Sequence, residues 1–138
     1  MILLELFSDI VNWEWTSKQP GLWSAVFEID GLEYQVDIAG AYSLSVSFTT
    51  KHGQGITGTG NAFAVFSTVI NIMREAINER HPKMFAFSAK RNQPSRVKLY
   101  HRMAMRLAQE FTDYELEIDT EDTREVMYLF NAKQIYPR

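Results

Sequence analysis

The run WSAVFEIDGLEYQVDI constrains this chain more than any other stretch. Trp23, Ala25, Phe27 and Ile29 alternate with more polar residues, Asp30-Gly31 follows, and Leu32, Tyr34, Val36 and Ile38 alternate in turn. A period of two sends successive side chains to opposite faces of a strand, and Asp-Gly suits the positive-φ positions of a tight primed turn. The spacing therefore predicts an antiparallel hairpin with one apolar and one polar face. The next run, AYSLSVSFTT, predicts a third strand, with Tyr42, Leu44, Val46 and Phe48 on one face and Ser43, Ser45 and Ser47 on the other. Such a meander buries its apolar face against a second layer.

Helical spacing supplies that layer. Phe66, Val69, Ile70, Met73 and Ile77 predict a helix over about 61–80, stopped by Pro82. KMFAFSA reads as a buried strand. A second helix is predicted from Pro94 or Ser95, with Ser95 as a capping hydroxyl and Leu99, Met103 and Leu107 on its buried side. YELEIDT and EVMYLFNA read as two strands paired around a turn at 121–124. At the start, Leu3, Leu6, Phe7, Ile10 and Trp13 recur at helical steps, which predicts a short helix over 2–15, broken by SKQPG at 17–21. The order is α-β-β-β-loop-α-β-α-β-β, an α+β class with a mixed, mostly antiparallel sheet, expected to form a single domain over 1–138.

Composition narrows the function classes. Hydrophobic residues make up 46% of the chain, enough for a core. A net charge of -3 argues against a nucleic-acid binder. The absence of cysteine excludes disulfides, thiolate metal ligands and cysteine nucleophiles, and fits a reducing compartment. MILLELF is too short to span a membrane and lacks the flanks of a signal peptide, so a soluble, cytoplasmic protein is expected. His52, His81 and His101 show no metal-ligand spacing, so no metal is expected.

Two stretches carry candidate chemistry. KHGQGITGTGN, at 51–61, holds four of the chain's seven glycines and leads into a helix. Backbone N–H groups and the helix dipole there suit a pyrophosphate, although hinge glycines in a plain connection fit the pattern equally. FSAKRNQPSRVKLYHRM carries no acid, and 90–106 holds six of the fourteen basic residues. Lys98, Arg102 and Arg106 recur every four residues and form a stripe for the phosphates of a ligand or, least favoured by the net charge, of a nucleic acid, for a protein partner, or simply a solvated face. Asn92 follows a strand end, where its amide could bind a ligand's polar backbone. Tyr100 is placed near the second helical turn, either to protonate a leaving thiolate or to pack as an amphipathic core residue.

The three-strand meander, the glycine loop, the two helices and the closing hairpin, over roughly 23–131, resemble the GNAT N-acetyltransferase superfamily. NQPSRVKLY is similar to the GNAT segment in which an asparagine precedes a helix carrying Leu-Tyr, and QGITGTGNA resembles the family's Q/R-x-x-G-x-G/A loop. The resemblance implies an acetyl-coenzyme A site in a wedge between two splayed strands. Its cofactor-binding candidates are Gln54, Gly55, Gly58, Thr59, Gly60, Asn61, Asn92 and Arg96, with Tyr100 as general acid. The chain departs from the pattern in three respects. Gln54 stands one position too far from Gly58, the strand over 42–48 carries no glutamate base, and the acceptor-side helices shrink to one short N-terminal helix. His52 is the residue left to relay the amine proton.

The blocks TGTGNAFAVFSTV and FSAKRNQPSRVKLYHRM also resemble small bacteriophage proteins of that type. Two functions follow as expectations. One is an acyl-coenzyme A-dependent N-acyltransferase, for which the acceptor is open. The other is an inactive GNAT-like phage protein that binds a host or virion protein through Lys98, Arg102 and Arg106, in the host cytoplasm.

Overall fold

The computed structural model describes residues 10–50 and 62–133. Within them the chain runs β1 (Trp13–Gln19), β2 (Leu22–Ile29), β3 (Leu32–Gly40), β4 (Ser43–Thr50), α1 (Ala62–Arg80), β5 (Met84–Lys90), α2 (Pro94–Glu110), β6 (Tyr114–Asp119) and β7 (Glu125–Ala132). The strands form one seven-stranded sheet in the order β1-β2-β3-β4-β5-β7-β6. Neighbours are antiparallel except β4 and β5. The class is α+β with a mixed, mostly antiparallel sheet, as the sequence pattern predicts.

The Asp-Gly hairpin forms in the predicted register. Ile29 opposes Leu32, and both turn residues take positive φ, +54° at Asp30 and +78° at Gly31. From β2 to β6 the ladders run without a register shift, the one irregularity being a bulge in β1 between Trp15 and Ser17, so the apolar residues line up in rows. Ala25, Val36 and Phe48 form one row, and Leu44, Phe85, Phe130 and Leu116 form another. Both helices cover this same face. Val65, Val69, Ile72 and Met73 of α1 join Met103, Ala104 and Leu107 of α2 in one core with the sheet residues. Arg74 of α1 also grips Glu110 of α2 through two hydrogen bonds, at 2.6 and 3.0 Å. The alternate residues, such as Ser43, Ser45, Ser47 and Thr49, are exposed on the other face.

The helix expected over 2–15 is corrected where it can be seen. Residues 10–12 are not helical, Trp13–Gln19 is an edge strand, and residues 2–9 lie outside the described residues. Trp13 fits both a helical step from Ile10 and an alternation with Trp15, and tertiary contacts decide between the two. The indole N–H of Trp13 donates to Asn71 Oδ1 at 2.8 Å and that of Trp15 to Glu75 Oε1 at 3.1 Å, both on α1. Trp15 also packs edge-to-face on Trp23, with centroids 5.2 Å apart. SKQPG breaks less than expected, since Ser17–Gln19 stay in β1 and only Pro20-Gly21 turn. A second correction concerns the start of α2. Gln93 occupies the cap position with no side-chain cap bond and Pro94 follows inside the helix, so Ser95 is not the cap. Proline suits the first turn because its missing N–H would have had no helical partner there.

Gly40 sets the entry to β4. Its φ is +117°, and an added Cβ would lie 2.0 Å from the Ser43 carbonyl oxygen. The turn it permits directs the Tyr42 carbonyl at the Lys83 N–H, 2.8 Å away, immediately before β4 and β5 begin to pair. Among the described residues, no helix is long and apolar enough to cross a membrane.

Candidate functional site

β4 and β5 pair only over Ser43–Ser45 and Met84–Ala86. Both strands then continue, β4 in register with β3 to Thr50 and β5 in register with β7 to Lys90. Their facing edges part after Ser45 and Ala86, and the main-chain donors and acceptors on those edges have no ladder partner. Aromatic rings gather beside the split. Phe48 and Phe87 point to the helix side, and the ring of Tyr100 from α2 packs against both, with centroids at 5.4 and 5.9 Å. Phe66 of α1 closes on Tyr100 at 6.4 Å. Four aromatic rings thus meet on the helix side of the fork.

Beside them lies a cleft of about 220 Å³ lined by both strand edges and by Lys90, Arg96, Tyr100 and Glu125. It reaches both faces of the sheet, since Tyr100 belongs to the helix side and Ser45, Ser47 and Ser88 to the other. Tyr100 is only 3% exposed. Burial pushes its phenol up to about 12, and the nearby Arg96 guanidinium offsets part of that rise. Near neutral pH the group is therefore a protonated donor. Among the described residues, no hydrogen bond from another side chain or main-chain group engages its hydroxyl.

The other sequence-derived candidates separate. Asn92 is exposed in the β5–α2 turn, and Arg96 enters the cleft. Lys98 and Arg102 are exposed along α2, and Arg106 is half-buried. His52, Gln54, Gly55, Gly58, Thr59, Gly60 and Asn61 lie outside the described residues. Arg91, which had only been part of a basic run, holds the β6–β7 turn. Its Nε donates to the Asp122 carbonyl at 2.9 Å, its guanidinium also donates to the Thr120 carbonyl, and its main-chain N–H donates to the Arg124 carbonyl at 2.9 Å. Glu125 was missed, because its place in the cleft follows from the β5–β7 register, which no local pattern encodes. Among the described residues, no group of three histidine or acidic side chains is placed to hold a metal ion.

The fold as a whole has a counterpart among solved structures. Campylobacter jejuni N-acetyltransferase PseH superposes with a TM-score of 0.52 over 82% of this chain and 70% of its own, at 12% identity. The fold is GNAT-like. A second structure, PseH in complex with acetyl coenzyme A, matches with the same TM-score, coverage and identity. At that identity the likeness concerns the fold alone. No family model matches the sequence, and no curated protein is similar to it.

Proposed function

We propose that the GNAT-like fold binds an acyl-coenzyme A at the β4–β5 fork and acts as an N-acyltransferase. The reading is carried by one observation, the parting of β4 and β5 after Ser45 and Ala86 beside a buried, protonated Tyr100. The unpaired edges past that point suit the amide-bearing arm of coenzyme A, which could add to either strand by main-chain hydrogen bonds. Its co-crystallisation with PseH supports the choice of acetyl-coenzyme A. When bound, the group supplies a thioester. Arg96 lines the cleft and would meet an anionic portion, and the GNAT resemblance implies that Gly58 and Gly60 approach the phosphates.

Tyr100 acts on the sulfur. A phenol at about 12 lies roughly 3.5 units above a free thiol, so complete proton transfer to a thiolate is uphill by roughly 5 kcal/mol. Tyr100 therefore works as a hydrogen-bond donor to the departing sulfur, worth most in a site closed to water. Calorimetry with millimolar acetyl-coenzyme A tests the reading. Wild type should release or absorb heat saturably, and Tyr100→Phe should keep binding while losing acyl transfer. Absence of heat from the wild-type protein refutes the proposal.

A second reading has its own support. Lys98 and Arg102 are exposed on α2, and among the described residues no ion pair engages them. An inactive GNAT-like protein would use this face to bind a host or virion protein. Replacing Lys98, Arg102 and Arg106 together would then abolish the partner while leaving acetyl-coenzyme A binding unchanged.

A further inference from the structure

Lys90 ends β5, Glu125 begins β7, and the two are directly opposed in the β5–β7 ladder. Their neighbours Ala89 and Val126 are buried in the core, so strand alternation points Lys90 and Glu125 to the face away from the helices. Both line the cleft. Directly opposed side chains have Cβ atoms about 5 Å apart. Even so, among the described residues no ion pair joins these two, and no hydrogen bond or ion pair engages the half-buried Glu125 carboxylate. Two opposite charges thus stand side by side at the cleft without neutralising each other through contact.

We propose that this pair recognises the acyl acceptor as a small zwitterion, an α-amino acid whose ammonium meets Glu125 and whose carboxylate meets Lys90. The inference rests on the acyl-transfer reading above. An α-amino acid carries its ammonium and its carboxylate on one carbon, at a separation that an opposed side-chain pair can span. A polyamine offers no anion to Lys90, and the interior of a peptide offers neither charge. Arg96 is the other cation lining the cleft, and its charge falls on Tyr100 at the helix side, which leaves Lys90 for the acceptor. Met127 follows Glu125 on the same strand face and lines the same cleft, an adaptable apolar surface for the amino-acid side chain. The acceptor would reach the thioester from the serine-bearing face, opposite the Tyr100 side.

Backbone amide shifts in NMR titrations test this with L-leucine, L-leucinamide and isocaproate, the last two lacking one charge each. L-leucine should perturb the Lys90 and Glu125 amides saturably at millimolar concentration, with both analogues at least about fivefold weaker, the scale of a partly exposed charge contact. Glu125→Gln and Lys90→Met should each weaken L-leucine by a similar factor, and Glu117→Gln on β6 should not. Equal binding of L-leucine and L-leucinamide, unchanged affinity in both cleft variants, or no perturbation in the wild type would each overturn the proposal. Calorimetry with acetyl-coenzyme A is run on the same samples. Amino-acid binding without coenzyme binding leaves the zwitterion site standing and removes the acyl-transfer reading; coenzyme binding without amino-acid binding does the reverse.

Discussion

Removing the Tyr100 hydroxyl by Tyr100→Phe should flatten the loss of stability at high pH. The folded-state phenol is raised from 10.0 to about 12, first by burial, with Arg96 pulling partly the other way. A group whose pKa rises on folding contributes stability that is fully present below its unfolded pKa. It loses that contribution as pH climbs through the folded value, because the unfolded chain sheds its proton first. The window is therefore roughly pH 10 to 12, and the full span is worth about 2.7 kcal/mol. Measured between pH 9 and 11.5, linkage gives a loss of about 2 kcal/mol from this one residue. Tyr34, Tyr114 and Tyr128 are also raised by burial and shift wild type and variant alike, so the difference between the two proteins isolates Tyr100. Urea unfolding at each pH supplies the free energies, and ultraviolet titration of the phenolate should show a high-pKa tyrosine that disappears in the variant. Parallel pH profiles for wild type and Tyr100→Phe would refute the buried, protonated state on which its role at the sulfur depends.

Two structural predictions follow from the elements that build the fork. Gly40→Ala should cost more than about 2 kcal/mol, because the new Cβ meets the Ser43 carbonyl at 2.0 Å in a backbone at φ +117°. Gly21→Ala, at φ +89° with nothing within 4 Å, should cost about 1 kcal/mol, the backbone strain alone; urea midpoints compare the two. Arg74 and Glu110 are 29% and 17% exposed, so breaking their pair by Glu110→Gln should cost about 2–3 kcal/mol. The double variant Arg74→Met/Glu110→Gln, compared with both single variants in a double-mutant cycle, should cost less than the two singles summed; a cycle with no coupling would remove the pair as the link between α1 and α2.

Features written in a few adjacent residues were legible without coordinates. Asp30-Gly31 predicts its hairpin because the turn's demand for positive φ is local, and α1 is legible because its apolar residues repeat on one face over many turns. Trp13 misled because it belongs to two periodicities at once, and only hydrogen bonds to Asn71 and contacts with α1 select the strand. Ser95 misled for a similar reason, since Pro94 had already set the first turn of α2. Tyr100 was legible as a site candidate through its motif, yet its burial, and with it its proton affinity, comes from Phe48, Phe66 and Phe87 on three other elements.

The amino-acid order alone therefore determined the elements from β2 onward, their apolar faces and the α+β class, since periodicity and turn chemistry act within a few residues. Tertiary structure alone decided where β4 and β5 stop pairing, that Lys90 and Glu125 face each other at the cleft, and that Arg91 clamps the β6–β7 turn. Those relations depend on register between strands and on hydrogen bonds between separate elements, and no local pattern carries distances between segments so far apart in the chain.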